Sequence, residues 1–204
     1  RHDCAAMSAS STSDAARVSS RAVLEAYPEV TLATIERSPD RVSGAREKLD
    51  RRRAIVVAAD ACELALETDS VDVAYTRFLL EYLTDRSRAV AEMTRVCRPG
   101  GIVMLQDLDG QLVWHDGMTD DLRADVERVL DTLRSTGFDP FVGRRLFGLT
   151  RQAGLRQIST KAESYHLYAS QIDDEALNQW SLKLDIAKPV IAATLGGDRR
   201  ADLF

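Results

Sequence analysis

Short apolar runs alternate with amphipathic stretches over the first hundred residues. The runs "VTLATIE" (30–36), "AIVVAAD" (54–60), "VDVAYTR" (71–77) and "IVMLQDLD" (102–109) each read as a buried strand. The segments between them carry helical spacing. From Asp14 to Ala26, the residues Val18, Ala22, Val23 and Ala26 share one stripe, with Ser11, Thr12 and Ser13 as candidate N-caps. "SPDRVSGAREKL" offers Ser38 as cap, Pro39 at the first helical position, and Val42, Ala45 and Leu49 as an apolar face. "TDRSRAVAEMTRVCRPGG" groups Ala89, Val90, Met93 and Val96, and Pro99-Gly100-Gly101 reads as its stop. Apolar strands separated by such helices imply βαβ units and a parallel sheet buried on both faces.

The texture changes after Gly110. "MTDDLRADVERVLDTLRSTG" lines up Met118, Leu122, Val126, Val129, Leu130 and Leu133 as one stripe of a long helix. "GRRLFGLTRQAG" reads as a shorter helix ended by Gly154, "LRQISTKAESYHLYA" as a strand, and Asp173 to Ala187 as a helix broken by Pro189. The expectation is one domain over residues 1–204. Its first half, 1–110, would bind a ligand; 111–204 would add helices and a sixth strand over one mouth of the sheet.

Composition narrows the class. The 204 residues are 45% hydrophobic with a net charge of −5, which disfavours a nucleic-acid partner. Arg51, Arg52 and Arg53 then read as a solvated helix end rather than a binding patch. No apolar run approaches the ~20 residues of a membrane span, so no membrane association is expected. The first residues lack the pattern of an export signal. Cys4, Cys62 and Cys97 are odd in number and form no CxxC pair, which fits a reducing, cytoplasmic setting, with Cys62 and Cys97 as packed thiols. There is no G-x-S-x-G elbow for a serine hydrolase and no phosphate loop, and the glycines of a nicotinamide site are missing.

The strand ends carry the candidate chemistry. Ligands of doubly wound sheets sit beyond the carboxyl ends of the strands, and three such ends here hold Glu36, Asp60 and Arg77. A carboxylate after the second strand of a nucleotide fold can accept from both ribose hydroxyls, and one after the next strand from an exocyclic amine. Two acids at successive strand ends point to an adenosine-containing ligand.

The segment from "VTLATIERSPDRVSGAREKL" through "DVAYTRFLLEYLTD" and "RPGGIVMLQDLDG" resembles the class I S-adenosylmethionine-dependent methyltransferases. Within them it is similar to the branch of ubiquinone/menaquinone-biosynthesis and natural-product enzymes that act on small molecules. The resemblance implies a Rossmann-like, doubly wound, mostly parallel α/β sheet with S-adenosyl-L-methionine as cofactor. It puts Glu36 on the ribose, Arg37 beside the adenine, and Asp60 with the Ala61 backbone at the adenine amine. Thr76, Arg77 and Phe78 would border the methionine end. No metal is implied; Asp107 and Asp109 alone make a poor cage for a hard cation. The departure is the opening. Where the family has a glycine-rich loop, residues Ala9 to Ser13 read A-S-S-T-S, or S-D-A-A-R if the helix is shorter. Ser11 and Ser13 then stand where glycines would approach the cofactor. "RHDCAAMS" reads as a poor central strand, and the family's final strand is not evident either. Two explanations stay open: native segments beyond this sequence, or a diverged member that binds the cofactor weakly or not at all.

On the substrate side, Trp114 and His115 follow the fourth apolar run, where an aromatic wall and a base would serve. Arg144, with Arg145, could grip an anionic group of the substrate. Tyr165, His166 and Tyr168 read as packing on a strand, and Trp180 as an apolar anchor. The expected function is methyl transfer to an O, N or C nucleophile of a small molecule, with a homodimer left open. The competing expectation is a protein of the same fold that does not methylate: a cyclisation or rearrangement catalyst, or a binding module.

Overall fold

The computed structural model describes residues 2–8, 20, 22–110, 116–163 and 174–197. Five strands form one all-parallel sheet: β1 (His2–Ser8), β2 (Val30–Glu36), β3 (Ala54–Ala58), β4 (Val71–Arg77) and β5 (Cys97–Gln106). Their order is β3-β2-β1-β4-β5. The helices are α1 (Pro39–Lys48), α2 (Arg86–Val96), α3 (Asp120–Ser135), α4 (Leu146–Gln152) and α5 (Asp174–Leu195). Short 3₁₀ turns occupy Leu80–Tyr82 and Val142–Arg145.

The segment that read as a poor central strand is the centre of the sheet. β1 pairs with β2 from His2↔Val30 to Met7↔Ile35, and with β4 from Cys4↔Val73 to Ser8↔Arg77. Cys4, Ala5 and Ala6 are small and not β-branched, so their pattern carries little strand propensity. Backbone pairing along both edges holds the strand instead. No sixth strand occurs among the described residues. The part of the expected strand that is described, 155–163, lies outside any strand, and 164–169 fall outside the described residues.

The two faces of the sheet are covered by helices that the spacing anticipated. One face packs Ala33, Ile35 and Ala74 against Met93 and Val96 of α2. All four apolar residues of that helix face, Ala89, Val90, Met93 and Val96, are fully buried. Asp85 caps it, its Oδ1 accepting the Arg88 amide at 2.9 Å. The other face packs Leu32, Ala54 and Val56 against Val42, Ala45 and Leu49, joined by Leu24 from the helical residues 22–26. The start of that first helix lies outside the described residues. Ser20 and Thr34 share a buried hydrogen bond of 3.2 Å under this face.

Four local expectations are corrected. The sequence "RPGG" does not stop α2, which ends at Val96 and runs directly into β5. Pairing steps from Val71↔Cys97 to Val73↔Ile102, so Arg98 to Gly101 form a bulge within the strand. Gly100 has φ +79°, and a Cβ on Gly101 would come within 2.6 Å of the Asp72 carbonyl oxygen. β5 also stops at Gln106, short of Asp109, and β3 at Ala58, short of Asp60. Arg53 is a latch rather than part of a solvated end: its guanidinium donates to the carbonyls of Leu24 at 2.8 Å and Val30 at 3.3 Å. Finally, α5 continues through Pro189 to Leu195. Packing of Ile191 and Leu195 on Val129 of α3 outweighs the hydrogen bond lost at the proline.

The chain divides into two compact units, Arg1–Asp109 with Asp139–Ile158, and Gly110–Phe138 with Ser159–Phe204. This refines the expected division at Gly110, because residues 139–158 return to the sheet unit. Val142 is fully buried there against Leu80, Ala89 and Val90. In the second unit, α3 is capped by Thr119, whose Oγ1 accepts the Leu122 amide at 3.3 Å. Its Arg128 donates to the Thr194 carbonyl of α5 at 2.9 Å.

Gly143 marks the tightest approach in the first unit. Its amide donates to the Leu108 carbonyl at 2.9 Å, and an added Cβ would lie 2.7 Å from Asp109 Cβ. Gly143→Ala is expected to destabilise the fold by ~1–3 kcal/mol through overpacking. Gly44→Ala, inside α1 with open space around it, should stabilise it by ~0.5–1 kcal/mol. Urea midpoints of the two variants check both signs.

Candidate functional site

The strand order reverses direction between β1 and β4. In such a sheet the crevice beyond the carboxyl ends opens at this switch point. Glu36 lies on the same face of the sheet as Arg77, because Thr34 and Tyr75 both pair with Ala6 and each lies two residues earlier on its strand. Arg77 stands between Ser8 and Gln106 in register.

Each acid at the rim is aimed by a backbone amide. Glu36 is 9% exposed, and its Oε1 accepts the Ser38 amide at 2.9 Å. That bond serves the start of α1, where the Ser38 side chain makes no capping bond of its own. Asp60, two residues past β3, accepts the Cys62 amide on Oδ1 at 2.8 Å. Its Oδ2 lies 3.6 Å from Arg37 Nη1. The two side chains that the resemblance set beside one adenine are therefore joined by an ion pair. The Arg37 side chain is 82% exposed, so the pair adds at most ~1 kcal/mol and opens easily. Ala61 packs against the core beneath. Burial, then the Asp60 charge, pushes the Cys62 thiol up, which makes it a packed thiol rather than a nucleophile. Cys97 is buried and its thiol is also raised, chiefly by burial.

At the end of β4 the three predicted residues separate in role. Thr76 is fully buried, and its hydroxyl meets no hydrogen-bond partner among the described residues. In register it lies between Met7 of β1 and Leu105 of β5, one residue before the end of β4. The Arg77 guanidinium carbon lies 4.3 Å from the Phe78 ring centroid. Phe78 has φ +52° and donates its amide to the Gln106 carbonyl at 3.0 Å. That left-handed conformation costs a bulky residue ~1–3 kcal/mol, and such strain clusters at functional sites.

Asp107 is the residue that sequence reasoning undervalued, having weighed it only as half of a poor metal pair. It sits half-buried just past β5. Its Oδ2 accepts the amides of Leu80 at 2.9 Å and Glu81 at 3.3 Å, and its Oδ1 that of Leu108 at 2.9 Å. Burial raises its pKa from 3.8 to about 6, against the opposing pull of these amides. The available signal was an acid directly after a strand that runs beside the one ending in "TRFLLEY".

Other candidates fall elsewhere. Arg144, expected on the substrate, has its Nε 2.8 Å from Asp109 Oδ1 and stacks 4.6 Å from the Phe141 ring centroid. Arg145 Nη1 lies 3.0 Å from Asp139 Oδ2. Both arginines are thus committed to carboxylates of their own unit, which the sequence did not anticipate. Ser11, Ser13, Trp114, His115, Tyr165, His166 and Tyr168 lie outside the described residues; Trp180 falls on α5. Among the described residues no group of three or more His, Cys, Asp or Glu is placed to hold a metal ion. No described helix is long and apolar enough to cross a membrane. An open groove of about 360 Å³ lies at the amino end of β3, lined by Arg46, Arg51 and Ile55 among others, and is not at the strand-end rim.

Parallel strands in this order, a switch point at β1/β4 and carboxylates at successive strand ends define a Rossmann-like fold of the class I methyltransferase type. The carboxylate acceptors Glu36 and Asp60 suit a ligand presenting hydroxyl and amine groups. Residues 16–105 match the family described as a methyltransferase domain. Over those residues the chain is thus similar to a methyltransferase domain. A Streptomyces fradiae protein, an uncharacterized 37.1 kDa protein of transposon TN4556, is 32% identical over 62% of this chain and 36% of its own length. The chain thus spans about a third of that relative. A SAM-dependent methyltransferase from Aquifex aeolicus shares the fold with a TM-score of 0.55 and 14% identity, over 76% of this chain and 72% of that one. The [4+2]-cyclase SpnF does so with a TM-score of 0.52 and 19% identity, over 74% of this chain and 51% of that one.

The raised Asp107 makes a signed prediction. Its ionisation opposes folding, so the associated stability is full below about pH 4 and is lost as pH rises through about 6. The loss amounts to ~3 kcal/mol. Asp107→Asn should remove this step from the stability–pH curve. Urea unfolding of both proteins from pH 4 to 7 tests it, and parallel curves would refute the assignment.

Proposed function

We propose that the chain binds S-adenosyl-L-methionine across the carboxyl ends of β2, β3 and β4 and transfers its methyl group to an O, N or C nucleophile of a small molecule. The convergence of Glu36, Asp60 and Arg77 on the rim at the switch point carries this reading. Glu36 would accept from the ribose hydroxyls. Asp60 would accept from the adenine amine, with Arg37 released from it to lie beside the base. Arg77 and Phe78 would border the methionine end, above Thr76. When bound, the cofactor supplies a methyl group on a cationic sulfur, which an electron-rich acceptor displaces in line. The chain's own task is then to orient the partners and exclude water. On the acceptor side, Trp114 and His115 are assigned from their place after β5, with His115 as the base that takes a proton from a hydroxyl or amine.

Two observations bear on a second reading. The stretch "ASSTS" has no glycine where the backbone should approach the cofactor, and the fold is shared with a [4+2]-cyclase. On that reading the rim binds a ligand without methyl transfer.

Calorimetric titration with S-adenosylhomocysteine separates the two when combined with an assay over candidate acceptors. Binding is expected, and Glu36→Ala should weaken it by ~1–3 kcal/mol, the loss of charged hydrogen bonds. Binding without transfer to any acceptor favours the second reading. A wild-type chain that takes up no S-adenosylhomocysteine sinks the methyltransferase reading, and an unchanged affinity in Glu36→Ala sinks the role of that carboxylate.

A further inference from the structure

We infer that Asp107 is the positioning residue of the cofactor rim, acting through the turn that follows β4. The inference rests on the reading of Arg77 and Phe78 as the border of the methionine end. Those two residues have no helix behind them; the chain leaves β4 into a bend and a single 3₁₀ turn, Leu80–Tyr82. Phe78 occupies a backbone conformation that bulky residues rarely adopt. A turn of this kind keeps its shape only when its surroundings determine it.

The neighbouring strand end supplies that determination at successive points. The Gln106 carbonyl takes the Phe78 amide at 3.0 Å. The next residue, Asp107, gathers the amides of Leu80 and Glu81 on one carboxylate oxygen, at 2.9 and 3.3 Å. Its other oxygen takes the Leu108 amide at 2.9 Å, which fixes the carboxylate to its own strand end. The amides it collects open the 3₁₀ turn and would otherwise have no partner within it. Leu80 beneath is fully buried, so the turn is pinned from below by packing and from the side by one carboxylate. The direction in which Arg77 and Phe78 face the crevice is set by β5, the adjacent strand.

The test measures S-adenosylhomocysteine affinity by calorimetry at 15 °C, together with hydrogen–deuterium exchange and thermal melting. Asp107→Ala should weaken binding by about tenfold or more, on the scale expected when a binding group is displaced. Exchange at Leu80 and Glu81 should rise in the unliganded protein. Asp107→Asn keeps one acceptor oxygen and should recover part of both losses; it also carries the test if the alanine variant fails to fold. The double variant Asp107→Ala/Phe78→Ala should lose less affinity than the sum of the single losses. Asp85→Ala, which uncaps α2, serves as the comparison and should lower the melting temperature without changing affinity. A wild-type chain that does not bind S-adenosylhomocysteine overturns the methyltransferase reading and takes this inference with it. A binding wild type with a folded Asp107→Ala variant of equal affinity, or additive losses in the double variant, overturns the inference alone.

Discussion

Everything at the rim depends on β1 being paired along both of its edges. Parallel strands joined by right-handed crossovers can spread outward from a first strand in either direction. Here β2 and β3 lie to one side of β1, and β4 and β5 to the other. The reversal brings the carboxyl ends of β1 and β4 side by side, the place where sheets of this kind open a crevice. A shift of one residue in either β1 pairing would turn the strand's side chains to the other face of the sheet. It would also move Glu36 out of step with Arg77.

The rim shows one recurring device. Glu36 and Asp60 each accept the amide two residues further on, and so does Asp139 from Phe141. Short-range bonds of this type fix a carboxylate relative to its own backbone without help from distant packing. Farther from the rim, Arg95 performs the complementary service for the long β3–β4 connection. Held by Glu92, it donates to the carbonyls of Leu64 and Leu66, both at 3.0 Å. Glu92 itself takes the Leu64 amide at 2.8 Å. A connection without a helix is thereby tied to α2, and Asp60 gains a fixed base.

Strands and helices with strong periodicity were legible in the sequence. β2, β4 and the buried faces of α1 and α2 follow from the spacing of their apolar residues, as do Glu36 and Arg77 at strand ends and Asp60 two residues past one. What was not legible depends on long-range pairing. β1 looked weak because Cys4, Ala5 and Ala6 have little intrinsic preference, and only its two partners make it central. The bulge at Arg98–Gly101 looked like a helix stop because proline and glycine mark both features. Pro189 looked like a helix end because no local rule knows that Ile191 and Leu195 have a surface to pack on. At the site, the hold of Asp107 on the turn after β4 was not legible because its partners are backbone amides, which no residue pattern encodes. The carboxylate partners of Arg144 and Arg145 escaped it because Asp109 lies far off in sequence and Asp139 carries no pairing signature.

The return of residues 139–158 to the sheet unit bears on which changes of length the chain can absorb. The chain leaves that unit after Asp109 and re-enters at Asp139. Just beyond those points, the Gly143–Leu108 hydrogen bond and the Arg144–Asp109 ion pair clamp the exit and the entry together. The segment between those points is joined to the sheet unit at two clamped ends. Its length can change at an entropic cost that grows only with the logarithm of its size, and its sequence can drift without altering a strand register. A change of length in residues 110–138 would therefore leave the Gly143–Leu108 and Arg144–Asp109 contacts, and with them the strand registers, as they are.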